Sequence, residues 1–214
     1  MKKITVVVVD DHRLIREMWA KLFATRNDIV VVGDCGVFDK AIELIKLKKP
    51  DIVLLDINLP PASGLDAVPL ILKYSPGTKI IAVSMHTEPV YAKKMIKLGA
   101  KGYVSKNSSY EEMFNAVDKV RDGKLFICTE MRNILSDRQL FKDEASEPGI
   151  NDLTFREIEI VKFIKKGLSS KEISASLNIS TRTVDVHRQN ILKKLKLKNT
   201  VSLINFINTN DLQF

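Results

Sequence analysis

The sequence predicts two domains of different fold class: an α/β domain on a parallel sheet, then a smaller all-α domain. Two observations carry this prediction. Over residues 1–123, short apolar stretches alternate with amphipathic stretches about every 10 to 15 residues. From residue 151 to 214 the pattern is helical throughout. Between them, residues 124–150 end in an acidic run containing proline and glycine, which indicates a linker with a short helix near 130–140.

The first domain, residues 1–123, contains five apolar runs of the kind expected for buried parallel strands. They are 3–10, 29–34, 51–56, 79–84 and 102–105, and the predicted helices are 12–25, 38–48, 65–73, 88–98 and 109–121. Five strands alternating with five helices fit one doubly wound domain, for which a flavodoxin-like strand order is the natural expectation.

Four helices are predicted in residues 151–214. Thr154 and Glu157 have capping-box spacing, as do Ser169 and Glu172, so each pair indicates a helix start. Gly167 is expected to end the first helix. The second, third and fourth helices are predicted at about 170–177, 181–196 and 200–208. The second and third, joined by a short turn, have the form of a helix-turn-helix.

The 214 residues carry a formal net charge of +8, which suggests an anionic partner. Residues 150–214 hold 11 Lys and Arg against 6 Asp and Glu, so the excess is densest in the tail. No apolar run reaches the length that crosses a bilayer, and Asp10 and Asp11 interrupt the apolar start of the chain. Cys35 and Cys128 match no metal or redox spacing. We therefore expect a cytoplasmic protein that does not enter a membrane.

Polar residues end four of the predicted strands: Asp10 and Asp11, Asp56, Ser84, and Lys106. The carboxyl ends of parallel strands line the ligand crevice of an open sheet. Three carboxylates there suit Mg²⁺, and one could attack phosphorus to form an aspartyl phosphate. The hydroxyl and the ammonium would hold the phosphoryl oxygens. The alternative is that these residues only solubilise the strand ends, but their joint placement favours a functional site.

These residues and the loop 56–64 resemble the receiver domain of bacterial two-component response regulators. The resemblance implies that Asp56 is the phosphoacceptor, and that Ser84 and Lys106 contact the phosphoryl group. It also implies that Asp10, Asp11 and Asp56 hold Mg²⁺ together with the backbone carbonyl of Asn58.

Tyr103 lies where receivers have a switch aromatic that moves with Ser84, although it could equally be a fixed core residue. Two positions depart from many receivers: Asn107 replaces the proline after the lysine, and Met85 is larger than the usual residue and could hinder access. A phosphatase with an aspartate nucleophile is a rival interpretation. Such enzymes usually need a second acid two residues after the nucleophile, where this chain has Asn58, so we do not expect an enzyme.

The third helix of the tail combines an apolar inner face with a basic outer face. Residues 182–198 include six Lys and Arg and one acid, which favours salt-dependent binding to nucleic acid. Arg and Gln can also pair with guanine and adenine edges. The alternatives are a solvated basic face and a tail that only dimerises as part of a protein-interaction module.

Residues 153–160, 167–174, 179–187 and 190–195 resemble the LuxR-type DNA-binding domain. A receiver joined to this domain defines the NarL/FixJ class of response regulators. The resemblance implies a transcription regulator controlled by phosphorylation, with a sensor histidine kinase and double-stranded promoter DNA as partners, acting as a homodimer on DNA.

Within this resemblance, individual residues are candidates for particular contacts. Base contacts are expected from Arg182, Asp185, Val186 and Gln189, and phosphate contacts from Lys171, Thr181, His187, Arg188 and Lys193. His187 could instead pack between helices. Dimerisation is expected through Val201, Leu203, Ile204 and Phe206, which could also simply close the helical core.

Overall fold

The computed structural model describes residues 3–59, 62–86, 88–136 and 152–209. The chain divides into two compact units, Met1–Leu140 and Phe141–Phe214. Across the described ranges, every helix is too short or too polar to cross a membrane.

The first unit is a parallel sheet in the order β2-β1-β3-β4-β5-β6, with helices between the strands. The strands are β1 Ile4–Val9, β2 Ile29–Cys35, β3 Ile52–Asp56, β4 Lys79–Ser84, β5 Gly102–Ser105 and β6 Phe126–Ile127. The helices are α1 Arg13–Phe23, α2 Phe38–Lys48, α3 Gly64–Tyr74, α4 Pro89–Lys97, α5 Tyr110–Arg121 and α6 Thr129–Ser136. The first five strands have the predicted flavodoxin-like order.

The sheet is the core of this unit because its central strands are buried on both faces. Every residue of β3 is buried, and so are Val6 to Val9 of β1. Helices cover a parallel sheet on both sides, which explains why these strands are continuous apolar runs. On one face, Phe23 of α1 lies 6.0 Å from the ring of Phe114 in α5, measured between ring centroids. This contact joins α1 and α5 on the same face of the sheet.

The prediction of five strands was incomplete, because a sixth strand lies inside the predicted linker 124–150. Phe126 and Ile127 pair with Gly102 and Tyr103 at the edge of the sheet. The short helix predicted near 130–140 is present as α6. The sequence did not indicate the strand because two residues are too few to give a periodic pattern. The remainder of the predicted linker, 137–150, lies outside the described residues, and the boundaries at 123 and 151 stay predictions.

The second unit contains four helices: α7 Phe155–Lys165, α8 Ser170–Leu177, α9 Thr181–Lys194 and α10 Thr200–Thr209. Both predicted capping boxes form, at Thr154 and at Ser169. Between α8 and α9, Asn178 adopts a left-handed conformation with φ of 51°, which turns the chain sharply. The all-α prediction for this part of the chain is therefore confirmed.

Candidate functional site

The strand ends bring four of the predicted polar side chains to one edge of the sheet. Asp10 follows β1, Asp56 ends β3, Ser84 ends β4, and Lys106 follows β5. Asp10, Asp56 and Ser84 are only 1–2% exposed. Burying a carboxylate is costly unless a cation or hydrogen-bond donor compensates it. These residues therefore need partners inside the pocket.

Lys106 is the shared partner of the two buried carboxylates. Its Nζ lies 2.7 Å from Asp10 Oδ2 and 2.7 Å from Asp56 Oδ2. Burial lowers the pKa of the Lys106 ammonium, but its hydrogen bonds to both carboxylates outweigh burial and hold that pKa above its usual value. One positive charge thus compensates two buried negative charges, and the pocket retains an excess of negative charge.

The pKa of the Asp56 carboxyl reflects this excess. Burial raises the pKa to about 6, and the charge of Asp10 acts in the same direction, while the hydrogen bond from Lys106 opposes both. The backbone N–H of Asn58 also donates to Asp56 Oδ1 at 3.0 Å. Asp56 is therefore largely ionised at neutral pH, and a further cation would relieve its unfavourable environment.

Acidic oxygens and an imidazole nitrogen form a group that could hold a metal ion. One ligand atom each from Asp10, Asp11, His12 and Asp56 lies within 4.8 Å of the others. His12 Nδ1 is 2.6 Å from Asp11 Oδ1 and 3.2 Å from Asp10 Oδ1. Carboxylate oxygens are the ligands that Mg²⁺ and Ca²⁺ prefer. The sequence indicated the carboxylates but not the contact with His12.

Gly64 sets the backbone of the loop after Asp56. A Cβ atom at Gly64 would overlap the carbonyl oxygen of Asp56, and the Gly64 N–H donates to Ile57 O at 2.8 Å. Ser63 then caps α3 by accepting from Leu65 N at 3.0 Å. Only glycine permits this close approach of the two backbone segments.

Arg16 is a further residue of the pocket, and the sequence analysis missed it. From α1, its Nη1 donates to Asp10 O at 2.8 Å and its Nε donates to Asp34 Oδ2 at 2.7 Å. It thereby fixes the backbone that carries the two N-terminal acids. Asp34 lies on β2, 18 residues from Arg16, so no local pattern could reveal this contact.

Ser84 and Tyr103 lie beside the pocket and are connected through His86. The backbone N–H of His86 donates to Ser84 Oγ at 3.0 Å, and Tyr103 Oη donates to the His86 carbonyl at 2.8 Å. Tyr103 is fully buried, and burial raises the pKa of its hydroxyl. Its own carbonyl accepts from Cys128 N at 2.9 Å, just before α6. Tyr103 thus connects the pocket edge with β6 and the start of α6.

In the second unit, most of the predicted DNA-contact residues lie on the surface. The exposed ones are Lys171, Thr181, Arg182, Asp185, Val186, Gln189 and Lys193, while His187 and Arg188 are half-buried. All but Lys171 belong to α9. A row of exposed cations and amides on one helix is the arrangement that a major groove accepts.

His187 and the predicted dimerisation residues differ in their surroundings. Burial lowers the pKa of the His187 imidazole, and the charges that influence it are those of Glu157, Arg156 and Lys194, which favours the packing interpretation. Leu203 is 1% exposed, so its side chain lies in the helical core. Of the other three, Val201 is 67% exposed, and Ile204 and Phe206 are half-buried.

Comparison with known proteins agrees with both units. Residues 6–118 match the family model described as "Response regulator receiver domain". Residues 151–207 match the model described as "Bacterial regulatory proteins, luxR family".

Relatives match the chain over nearly its whole length. It is 32% identical to the transcriptional regulatory protein MctR of Rhizobium johnstonii, over 95% of this chain and 92% of MctR. It is 33% identical to the nitrate/nitrite response regulator protein NarL of Escherichia coli K12, over 92% and 91% of the two chains. A structure of the response regulator RcsB in complex with DNA shares the fold, with a TM-score of 0.61, 20% identity, and coverage of 97% and 99%.

The pocket at the strand ends and the helix-turn-helix surface thus occur together in one chain. The chain therefore belongs to the NarL/FixJ class of two-component response regulators, a family of DNA-binding transcription regulators that join a receiver domain to a LuxR-type domain.

Proposed function

We propose that Asp56 accepts a phosphoryl group from a sensor histidine kinase in the cytoplasm, and that this modification controls binding of promoter DNA by the second unit. The observation that carries the proposal is the pair of buried carboxylates, Asp10 and Asp56, that share the single ammonium of Lys106. A carboxylate held in this way is ionised at neutral pH yet poorly compensated. Those are the properties of a nucleophile in a site that an added cation would stabilise.

The proposed transfer is a displacement at phosphorus. A carboxylate oxygen of Asp56 attacks phosphorus, the bond between phosphorus and the imidazole nitrogen of the kinase breaks, and its electron pair returns to the ring. Lys106 Nζ already lies 2.7 Å from Asp56 Oδ2, so it can remain close to the transferred oxygens. The hydroxyl of Ser84, which ends the neighbouring strand, is the second proposed donor. Both would stabilise negative charge in a site largely closed to water.

The proposed cofactor is Mg²⁺, held by Asp10, Asp11 and Asp56 together with the backbone carbonyl of Asn58. The cluster of carboxylate oxygens fits a hard cation. When bound, the ion would neutralise charge on the carboxylates and on the phosphoryl oxygens. Asp11 is more exposed than the other two acids, which suits a ligand that exchanges with solvent.

The proposed switch consists of Ser84 and Tyr103. A phosphoryl group that draws the Ser84 hydroxyl toward Asp56 competes with its present bond to the His86 N–H. The His86 carbonyl accepts from Tyr103 Oη, and the Tyr103 carbonyl accepts from the N–H of Cys128, just before α6. A phosphoryl group on Asp56 would thus change the positions of Ser84 and Tyr103, which are connected through His86.

The proposed DNA interface is the exposed face of α9 with Lys171 at the start of α8. Arg182, Asp185, Val186 and Gln189 are proposed to contact bases. Lys171, Thr181, His187, Arg188 and Lys193 are proposed to contact phosphates, with packing between helices as the alternative for His187. Two copies would bind two half-sites as a homodimer. Val201, with Ile204 and Phe206, is the proposed dimer surface, whereas the buried position of Leu203 removes it from this set.

Phosphodonor labelling of the full chain tests the proposal. Incubation with acetyl phosphate and Mg²⁺ should add one phosphoryl group to the intact mass of the wild type. Asp56→Ala should abolish the gain, and chelation of Mg²⁺ should prevent it. Asp39→Ala, an exposed acid in the first turn of α2, is the matched control and should be labelled normally. Labelling of Asp56→Ala at the wild-type level would refute the assignment.

A further inference from the structure

A hydrogen-bond network on the outer side of α9 includes Ser170, a residue outside the predicted DNA interface. Ser170 is the first residue of α8. Its Oγ donates to Asp185 Oδ1 at 2.7 Å and accepts from Arg188 Nη1 at 3.2 Å. Arg188 also donates through Nη2 to Thr200 Oγ1 at 3.2 Å, at the start of α10. One carboxylate is thus connected to the starts of two other helices.

This network fixes the direction of the Asp185 side chain. Residues 185 and 188 are three apart on α9 and therefore lie on the same face. Hydrogen bonds that involve charged groups are shorter and stronger than neutral ones, and the guanidinium polarises the hydroxyl that binds the carboxylate. The Asp185 side chain therefore has a defined orientation before any ligand binds, although Asp185 is exposed.

The network also explains how an acid can remain in a basic surface. A lone carboxylate beside DNA phosphates would be repelled, and Asp185 is the one acid between residues 182 and 198. Arg188 donates to the hydroxyl of Ser170, which also binds Asp185, and supplies a compensating positive charge. The pair is formally neutral, so the electrostatic cost of placing it near the duplex is small.

One oxygen of Asp185 remains available to a ligand. Among residues 152–209, as the structure describes them, the hydrogen bond from Ser170 goes to Oδ1, and no donor bonds to Oδ2. An ionised carboxylate only accepts hydrogen bonds. Its partner in a major groove must therefore be a donor, and the donors there are cytosine N4 and adenine N6.

We propose that Ser170 positions Asp185 to accept a hydrogen bond from cytosine N4, so that each half-site contains a cytosine set by Asp185. This inference rests on the proposed function of α9 as the base-reading helix. In an A·T pair the adenine N6 donor lies between two acceptors, adenine N7 and thymine O4, which repel a carboxylate. Cytosine N4 has an acceptor on one side only, guanine O6. Asp185 thus acts as a specificity residue and Ser170 as a positioning residue.

Selection from random-sequence duplex DNA by the full-length protein, with Mg²⁺ and beryllofluoride present as a mimic of the phosphoryl group, tests the inference. The wild type should enrich a repeated motif with one cytosine position that depends on Asp185. Asp185→Ala should keep the rest of the motif and lose about tenfold in preference for that cytosine. Asp185→Asn should shift the preference to adenine, because an amide can pair with both N6 and N7.

Variants of Ser170 separate positioning from general stability. Ser170→Ala should reduce the cytosine preference about threefold. It should leave the salt dependence of binding, which reports phosphate contacts, unchanged. Ser170→Thr keeps the hydroxyl and should restore the preference. Ser176→Ala is the matched control, since Ser176 lies on the same helix and donates to Glu172 O at 2.9 Å.

The outcomes distinguish this inference from the proposed function. A wild-type motif that Asp185→Ala and Asp185→Asn leave unchanged at every position overturns the inference and the base contact of Asp185, but it leaves phosphorylation of Asp56 and DNA binding by α9 in place. An unchanged cytosine preference in Ser170→Ala overturns the positioning role. The absence of any wild-type motif overturns the proposed function, and the inference with it.

Discussion

Replacing Asp56 by asparagine should stabilise the first unit at neutral and alkaline pH in the absence of metal. The folded protein raises the pKa of Asp56 from 3.8 to about 6, mainly through burial. At 1.36 kcal/mol per pKa unit, the difference corresponds to about 3 kcal/mol of stability that the wild type lacks above pH 6. Because asparagine is neutral, Asp56→Asn should recover about 1–3 kcal/mol, the lower value applying where the weaker bond to Lys106 offsets the gain.

The sign of this effect gives it a defined pH dependence. Since the folded-state pKa is the higher one, the contribution of Asp56 to stability is fully present below pH 3.8 and is lost as pH rises through about 6. The advantage of Asp56→Asn should therefore be large at pH 8 and disappear near pH 4. Urea unfolding can be followed through Trp19, the one tryptophan of the chain, which is buried in α1 of the first unit.

Asp39→Asn removes an exposed acid of the same unit and is the control, with no expected change at either pH. An Asp56→Asn variant that is no more stable than the wild type at pH 8 would refute the electrostatic account of the pocket. So would an equal advantage at pH 4 and pH 8, since it would not arise from ionisation.

Three further predictions concern other contacts. Gly64→Ala should lower the free energy of unfolding by about 1–3 kcal/mol and reduce phosphodonor labelling, because the added Cβ would overlap the Asp56 carbonyl. Normal labelling and stability would contradict the loop geometry. Tyr103→Phe removes the donor to the His86 carbonyl, so it should lower the free energy of unfolding by about 1 kcal/mol. It should leave phosphodonor labelling unchanged but weaken the response of DNA binding to phosphorylation. An unaltered response would exclude Tyr103 from the switch. The pKa of Glu157 is lowered: burial raises it, but hydrogen bonds from a lysine and a backbone N–H outweigh burial. Glu157→Gln should therefore destabilise the second unit by about 1–3 kcal/mol above pH 4.5 and progressively less as pH falls, measured by amide NMR during thermal unfolding.

The sequence was sufficient to predict the parts of the fold that depend on long apolar patterns. Buried parallel strands such as β3 consist of apolar residues up to the final aspartate, so both the strand and its functional end are visible in the chain. The capping boxes at Thr154 and Ser169 likewise identify the starts of α7 and α8. β6 was not predicted, because two residues are too few to show a periodic pattern and its pairing with β5 depends on tertiary structure.

The candidate sites were predictable only as far as residue type and strand position allowed. Strand ends predicted Asp10, Asp56, Ser84 and Lys106, but the contact of Arg16 with the Asp10 carbonyl depends on how α1 packs. In the tail, composition alone could not separate exposed from buried residues of one helix. Leu203 therefore turned out to be more buried than its proposed role required. Ser170 was missed because a serine at a helix start indicates a cap rather than a partner for another helix.

Control of DNA binding by a phosphoryl group on Asp56 can be measured as a change in affinity. The Kd of the full chain for a selected DNA duplex would be measured with and without Mg²⁺ and beryllofluoride, a mimic of the phosphoryl group. The mimic should strengthen binding by the wild type and have no effect on binding by Asp56→Asn. Equal affinity of the wild type in both states would contradict control through Asp56, while leaving a DNA-binding protein.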